Sequence, residues 1–73
     1  MITEKVGSRI KELRRALELS QEKLALKAEV DRTYLAGVEQ GKRNPSIKSL
    51  EKILKALEVS FGEFLKICNV DYK

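Results

Sequence analysis

Histidine and tryptophan are absent from this 73-residue chain, cysteine, proline and methionine occur once each, and no stretch stays apolar for long. A single cysteine, Cys68, excludes an intramolecular disulfide, and without histidine there is no Cys and His cluster of the kind that holds a structural zinc. No apolar run approaches the roughly 18 residues of a membrane span. The opening MITEKVGSRI also lacks the apolar stretch of a secretory signal. The expectation is therefore a soluble, cytoplasmic protein with no membrane partner. A serine and histidine pairing, a phosphate-cradling glycine loop and a metal motif are all missing, which argues against an enzyme and against any cofactor, metal or small-molecule ligand. Cys68 reads as a small hydrophobe near the end of the last helix, since its neighbour Lys66 does not activate a thiol.

So short a chain, with no internal repeat, buries only about 60% of its unfolded surface. Its stability has to come from close helix packing or from a second copy of itself. The net charge of +4 and an isoelectric point near 9.4 suit a polyanionic partner. Residues 1–19, 20–46 and 47–73 each carry five basic side chains against three or four acidic ones. No basic tail exists, so a phosphate-binding surface must be assembled by folding.

Apolar periodicity organises the chain into about five helices and no strand. Val6, Ile10, Leu13 and Leu17 form the stripe of a first helix from about Thr3 to Leu17, with Thr3 as its N-cap. Ser20 caps a second, short helix that buries Leu24, Ala25 and Ala28. Asp31 caps a third, from Arg32 to about Gln40, with Leu35 and Val38 inward and Gly41 placed to end it. Pro45 keeps Asn44 out of helical geometry, so GKRNP is loop. Ser46 caps a fourth helix with Ile47, Leu50, Ile53, Leu54 and Leu57 on its stripe, while Lys48, Lys52 and Lys55 face water. SFGE, from Ser60 to Glu63, is a capping box that opens a fifth helix carrying Phe61, Phe64, Leu65 and Ile67. The fold class is all-α, one domain over residues 1–68 followed by a short tail at 69–73.

Only Glu29, Val30 and Asp31 separate the second and third helices, the spacing of a helix-turn-helix over about residues 20–40. On the third helix Arg32, Thr33, Ala36, Gly37 and Gln40 share one face, opposite Leu35 and Val38. Arg32 and Thr33 are placed to reach base edges of a duplex, while small Ala36 and Gly37 allow close approach of the helix to a major groove. Arg32 is the candidate for direct readout, its guanidinium matching guanine O6 and N7 for roughly 1–3 kcal/mol of discrimination. The plainer reading is a surface arginine paired with Asp31 or Glu29. Thr33 stands evenly between a DNA contact and a solvated first-turn residue. In the following loop Lys42, Arg43 and Asn44 are placed to hold backbone phosphate, and Arg43 also to enter a groove.

The stretch LSQEKLALKAEVDRTYLAGVEQGKRNPSIKSLEKILKALEV resembles the phage-repressor-type (Cro/CI, or XRE) helix-turn-helix family. DRTY followed by RN is most similar to the small controller proteins of restriction-modification systems. The resemblance spans nearly the whole chain and implies a compact five-helix, lambda-repressor-like DNA-binding domain that acts as a transcriptional regulator on double-stranded DNA. It further implies that Gln21, at the first position of the second helix, donates to phosphate, and that Tyr34 lies near the DNA backbone, although a tyrosine packed over the domain edge is an almost equal alternative. Arg14 and Glu39 match a structural ion pair of the family. One departure stands out, because the family usually places Gly or Asn where this chain has Glu29. A glutamate forced to positive φ costs about 1 kcal/mol, and a rearranged turn is expected.

The fourth and fifth helices, about residues 47–67, carry more apolar surface than one small domain hides, with Phe61, Phe64 and Leu65 at the centre. This predicts a homodimer, which is also the family's habit, acting on a near-palindromic operator. The acidic Glu22, Glu29 and Asp31 are weak candidates for touching RNA polymerase. An antitoxin-like module that covers a toxin with its fifth helix and binds DNA secondarily is the alternative from another class. A nucleoid-like binder without sequence preference ranks last.

Overall fold

The computed structural model describes residues 2–67, with side chains from 3 to 66. They form five helices: α1 (Ile2–Ala16), α2 (Gln21–Ala28), α3 (Arg32–Glu39), α4 (Ile47–Ala56) and α5 (Phe61–Ile67). Among the described residues there is no strand. Short polar side chains start four of the helices by accepting first-turn amides that lack intrahelical partners. Ser20 accepts from the Lys23 amide at 3.0 Å, Asp31 from Tyr34 at 3.2 Å and Ser46 from Ser49 at 3.1 Å. At α5 the capping box closes in both directions: Ser60 Oγ accepts from the Glu63 amide, and Glu63 Oε1 from the Ser60 amide.

Thr3 is not the N-cap expected of it. The helix already begins at Ile2, and the Thr3 hydroxyl instead donates to Asn44 Oδ1, tying the start of α1 to the loop after α3.

Three of the helices end on a glutamate in the left-handed region, Glu18 (φ 58°), Glu29 (φ 59°) and Glu58 (φ 62°). After each, the amide of an apolar residue reaches back to a carbonyl five residues earlier: Leu19 to Arg14 at 3.1 Å, Val30 to Ala25 at 3.0 Å and Val59 to Leu54 at 3.0 Å. This is the Schellman closure, and Leu19, Val30 and Val59 then pack on the core. The turn at Glu29 is consequently regular, which corrects the expected rearrangement. The hydrogen bonds it closes and the packing of Val30 outweigh the steric cost of a side chain at positive φ. That cost remains in the native state, so Glu29→Gly is expected to stabilise the protein. The net gain is about 0.5–1 kcal/mol once the greater freedom of unfolded glycine is deducted. A urea titration reads it as a higher midpoint, and a lower midpoint would show that Glu29 is not strained.

The core is built from Val6 and Ile10 of α1, Leu24, Ala25 and Ala28 of α2, and Leu35 and Val38 of α3. Ile53, Leu54, Ala56 and Leu57 at α4 and Phe64 of α5 complete it. Helix α3 packs on α1 and α2, α2 also packs on α4, and α5 closes over α4. Two residues of the predicted stripes lie outside this core. Leu17 follows the last residue of α1 and turns out to 45% exposure, and Ile47, in the first turn of α4, is 79% exposed because no described helix covers that end. Phe64 departs in the other direction. It is fully buried within the protomer, so it is a core residue and not surface available to a partner. The side chain of Ile67, Cys68 and the tail at 69–73 lie outside the described residues.

Candidate nucleic-acid interface

A buried polar network fixes the relative placement of α1, α2 and α3. Arg14 donates from Nε to Glu39 Oε2 at 2.8 Å and from Nη2 to Glu39 Oε1 at 3.0 Å, a two-pronged pair 25 residues apart in sequence. Its third donor, Nη1, reaches the Leu19 carbonyl at 2.8 Å in the turn before α2. Glu39 Oε1 also accepts from the Gln21 side-chain amide at 3.2 Å. The Glu39 side chain is almost completely buried and that of Arg14 nearly so. A charge pair out of water is tolerable when its hydrogen-bonding capacity is filled, and no buried side-chain nitrogen or oxygen among the described residues lacks a partner. The network joins the start of α2 to the end of α3, the two segments predicted to meet phosphate and bases.

Helix α3 is thereby held with one face outward. Arg32, Thr33 and Gln40 are exposed on it, and Ala36 and Gly37 are half-buried between them. Leu35 and Val38 are fully buried on the other side. Among the described residues, no hydrogen bond or ion pair ties down the Arg32 or Thr33 side chain.

Tyr34 lies on the flank of α3, half-buried against the core. Its hydroxyl oxygen accepts from the Ser46 amide at 3.3 Å, which leaves the hydroxyl proton for another acceptor. The Arg43 guanidinium carbon stands 5.4 Å from the Tyr34 ring centroid, a cation–π arrangement. Gly37 also faces Arg43: a Cβ built on it would lie 3.4 Å from Arg43 Cγ and 3.6 Å from Arg43 Cδ. The Arg43 stem therefore runs over Gly37 at a distance where even an added methyl would only touch it. Lys42 and Asn44 are exposed in the same loop, with Asn44 anchored by Thr3.

The structure therefore brings Arg32, Thr33, Tyr34 and Arg43 to one side of α3 and its following loop, and links Gln21 to Arg14 and Glu39. The sequence-based reading missed the anchoring of Gln21 on Glu39, the Thr3 contact to Asn44 and the seat of Arg43. It also missed Gly7, which is buried where α1 crosses α3: a Cβ there would stand 2.0 Å from the Val38 carbonyl oxygen and 3.0 Å from that of Glu39. A glycine beside Val6 and three residues before Ile10 was the available signal, because glycine inside a helical stripe usually marks a close packing contact.

Comparison with known proteins agrees with this architecture. Control protein C.MunI from Mycoplasma sp is 43% identical over 58 residues, covering 78% of each chain. Control protein C.BamHI from Bacillus amyloliquefaciens is 37% identical over 65 residues, covering 88% of this chain and 80% of that one. Among solved structures, the restriction-modification controller protein C.Esp1396I, crystallised as a tetramer with its natural 35 base-pair operator, superimposes with a TM-score of 0.88 at 43% identity, covering 94% of this chain and 91% of that one. The same controller has been solved with successive arginine, threonine and tyrosine residues replaced one at a time; the run Arg-Thr-Tyr occurs in this chain once, at Arg32, Thr33 and Tyr34. The family model described as Helix-turn-helix matches residues 10–64, from the middle of α1 into α5. With its α2–turn–α3 unit, its buried Arg14–Glu39 frame and that match, the chain belongs to the helix-turn-helix family.

Proposed function

We propose that this protein is a sequence-specific DNA-binding transcriptional regulator that acts as a homodimer on a near-palindromic operator, in the manner of a restriction-modification controller. The observation that carries the reading is the outward face of α3, where Arg32 and Thr33 stand exposed at the amino-terminal end beside small Ala36. Gln21, Tyr34, Lys42 and Asn44 hold phosphates and set the register, and Arg32, Thr33 and Arg43 read bases. Gln21 opens α2, whose free amides add to the attraction for the same phosphate. Its side chain is pinned by Glu39 at 3.2 Å, so little freedom remains to be lost on binding.

The partner surface lies on α4 and α5. Phe61 and Leu65 remain half-buried and Ile47 is 79% exposed, while Phe64 serves the protomer's own core. A two-fold dimer through this surface sets two copies of α3 about 34–36 Å apart, one turn of duplex. Binding over a promoter represses; activation requires a further contact to RNA polymerase, for which Glu22, Glu29 and Asp31, all exposed, are the acidic side chains beside the helix-turn-helix. Cytoplasmic residence and the absence of catalysis follow from the same reading. No helix among the described residues is long and apolar enough to cross a membrane.

Selection of bound duplexes from a random pool, at a salt concentration of about 150 mM where non-specific binding is weak, tests the proposal. The expected product is an inverted repeat with half-site centres about one turn apart. Recovery of no preferred sequence would overturn it.

A further inference from the structure

Arg43 lies in a loop, where a long side chain normally samples many rotamers, yet three features of the fold converge on it. The Tyr34 ring stands beneath its guanidinium at 5.4 Å, its stem runs over Gly37, and the Tyr34 hydroxyl is tied to the Ser46 amide at the start of α4. The last contact bridges the two ends of the loop that carries Arg43. Tyr34 belongs to α3, Ser46 caps α4, and Gly41 to Pro45 span the gap between them.

We infer that Tyr34 is a positioning residue for Arg43: its ring holds the guanidinium in a reading orientation along the carboxy-terminal half of the α3 face before DNA arrives. The inference rests on the proposed DNA-reading function. It adds that part of the sequence discrimination belongs to an aromatic ring that itself meets no base. The physical reason is preorganisation, since a side chain already held in its bound rotamer loses less freedom on binding. A guanidinium that stacks on an aromatic face still presents its donors in plane for bidentate recognition of a base edge. The hydroxyl proton of Tyr34 stays available for phosphate, so one residue serves two ends: the ring acts on specificity and the hydroxyl on affinity.

The first arm of the test uses the free protein. In proton NMR spectra the Arg43 side-chain resonances should be shifted by the ring current in wild type and in Tyr34→Phe, and should move to exposed-arginine positions in Tyr34→Leu. Unshifted Arg43 resonances in the wild-type spectrum would overturn the inference whatever the protein binds.

The second arm compares affinity for the selected duplex with affinity for duplexes altered at single bases. Arg43→Ala should relax one base position, and Tyr34→Leu should relax that same position by about two- to fivefold, the weight of an exposed cation–π contact. Tyr34→Phe should keep the discrimination while weakening binding to all duplexes alike. In the Arg43→Ala background Tyr34→Leu should add no further loss of discrimination. Melting curves check that the variants fold, and if Tyr34→Leu does not, the wild-type and Tyr34→Phe spectra still decide. Discrimination at the Arg43 position unchanged in a folded Tyr34→Leu, or no position relaxed by Arg43→Ala, would overturn the inference while leaving the DNA-binding function standing. A wild type that selects no sequence would remove that function and the inference with it.

Discussion

Gly7→Ala is expected to destabilise the protein by about 3 kcal/mol or more, against the usual trend for glycine inside a helix. In an unencumbered helix the change gains roughly 0.5–1 kcal/mol through lower unfolded-state entropy. Here the added Cβ would meet the Val38 carbonyl oxygen at 2.0 Å, and Val38 is part of the backbone of α3. No rotamer relieves such a contact. Helix α1 would have to move away from α3, dragging fully buried Ile10 out of the core it shares with Leu35 and Val38. Overpacking of this kind costs about 1–3 kcal/mol and occasionally more, and a backbone obstacle puts it at the upper end. A domain of this size commonly has only about 4–11 kcal/mol of stability in total, so the loss is a large share. Gly62 in α5 is the control, because a Cβ built there meets nothing within 4 Å, and Gly62→Ala should be neutral or stabilising. Thermal unfolding followed by circular dichroism separates the two. Equal behaviour of both variants would mean that α1 and α3 do not approach as closely as described.

Arg14→Ala is expected to cost about 3–5 kcal/mol, because it strands the Glu39 carboxylate in a dry site. The side chain of Glu39 is only 1% exposed, and after the change its remaining side-chain donor is the Gln21 amide at 3.2 Å. The Leu19 carbonyl would lose its side-chain donor as well. For a domain of this length the loss corresponds to a fall in Tm of more than about 12 °C. Affinity for DNA should fall beyond what the unfolded fraction explains, because Gln21 and the end of α3 lose their common anchor. Replacing both charges with apolar residues, Arg14→Met with Glu39→Leu, should recover most of the stability, since a buried pair adds little over well-packed hydrophobic groups. It should not recover DNA affinity. An Arg14→Ala protein that melts with the wild type would contradict the role assigned to the pair.

Helix positions were legible in the sequence to the extent that their caps were. Ser20, Asp31, Ser46 and the Ser60–Glu63 box mark their helices because an oxygen-bearing side chain there accepts an amide that nothing else satisfies. Helix α1 begins one residue earlier than its predicted cap, so its start was misplaced. Periodicity identified the inward faces but not their ends. Leu17 and Ile47 continue the apolar stripes past the point where another helix covers them. Phe64 shows the complementary limit: apolar area is visible in sequence, whereas the decision to spend it inside the protomer or on a partner depends on where α5 docks on α4.

The site divides along a similar line. The outward set on α3 follows from helical geometry, so Arg32, Thr33, Ala36 and Gly37 were placed on one face by spacing alone. Arg14 and Glu39 lie 25 residues apart, and no local rule joins them; only the family resemblance brought them together. Neither source pointed to the Tyr34–Arg43 contact, the passage of Arg43 over Gly37 or the Gly7 crossing, because each depends on the path of a loop or the separation of two helices to within an ångström.

The claim that α3 reads sequence while its surroundings hold phosphate is tested most directly by titrating wild type, Arg32→Ala and Lys42→Ala against the selected duplex and its single-base variants at several salt concentrations. Arg32→Ala should erase discrimination at one base position, worth about 1–3 kcal/mol, and leave the other positions ordered as before. Lys42→Ala should weaken every duplex by a similar factor and lower the salt slope by about 1. If Arg32→Ala instead lowers affinity for all duplexes alike, with every base preference intact, then the exposed face of α3 does not read the operator and the account given for it is wrong.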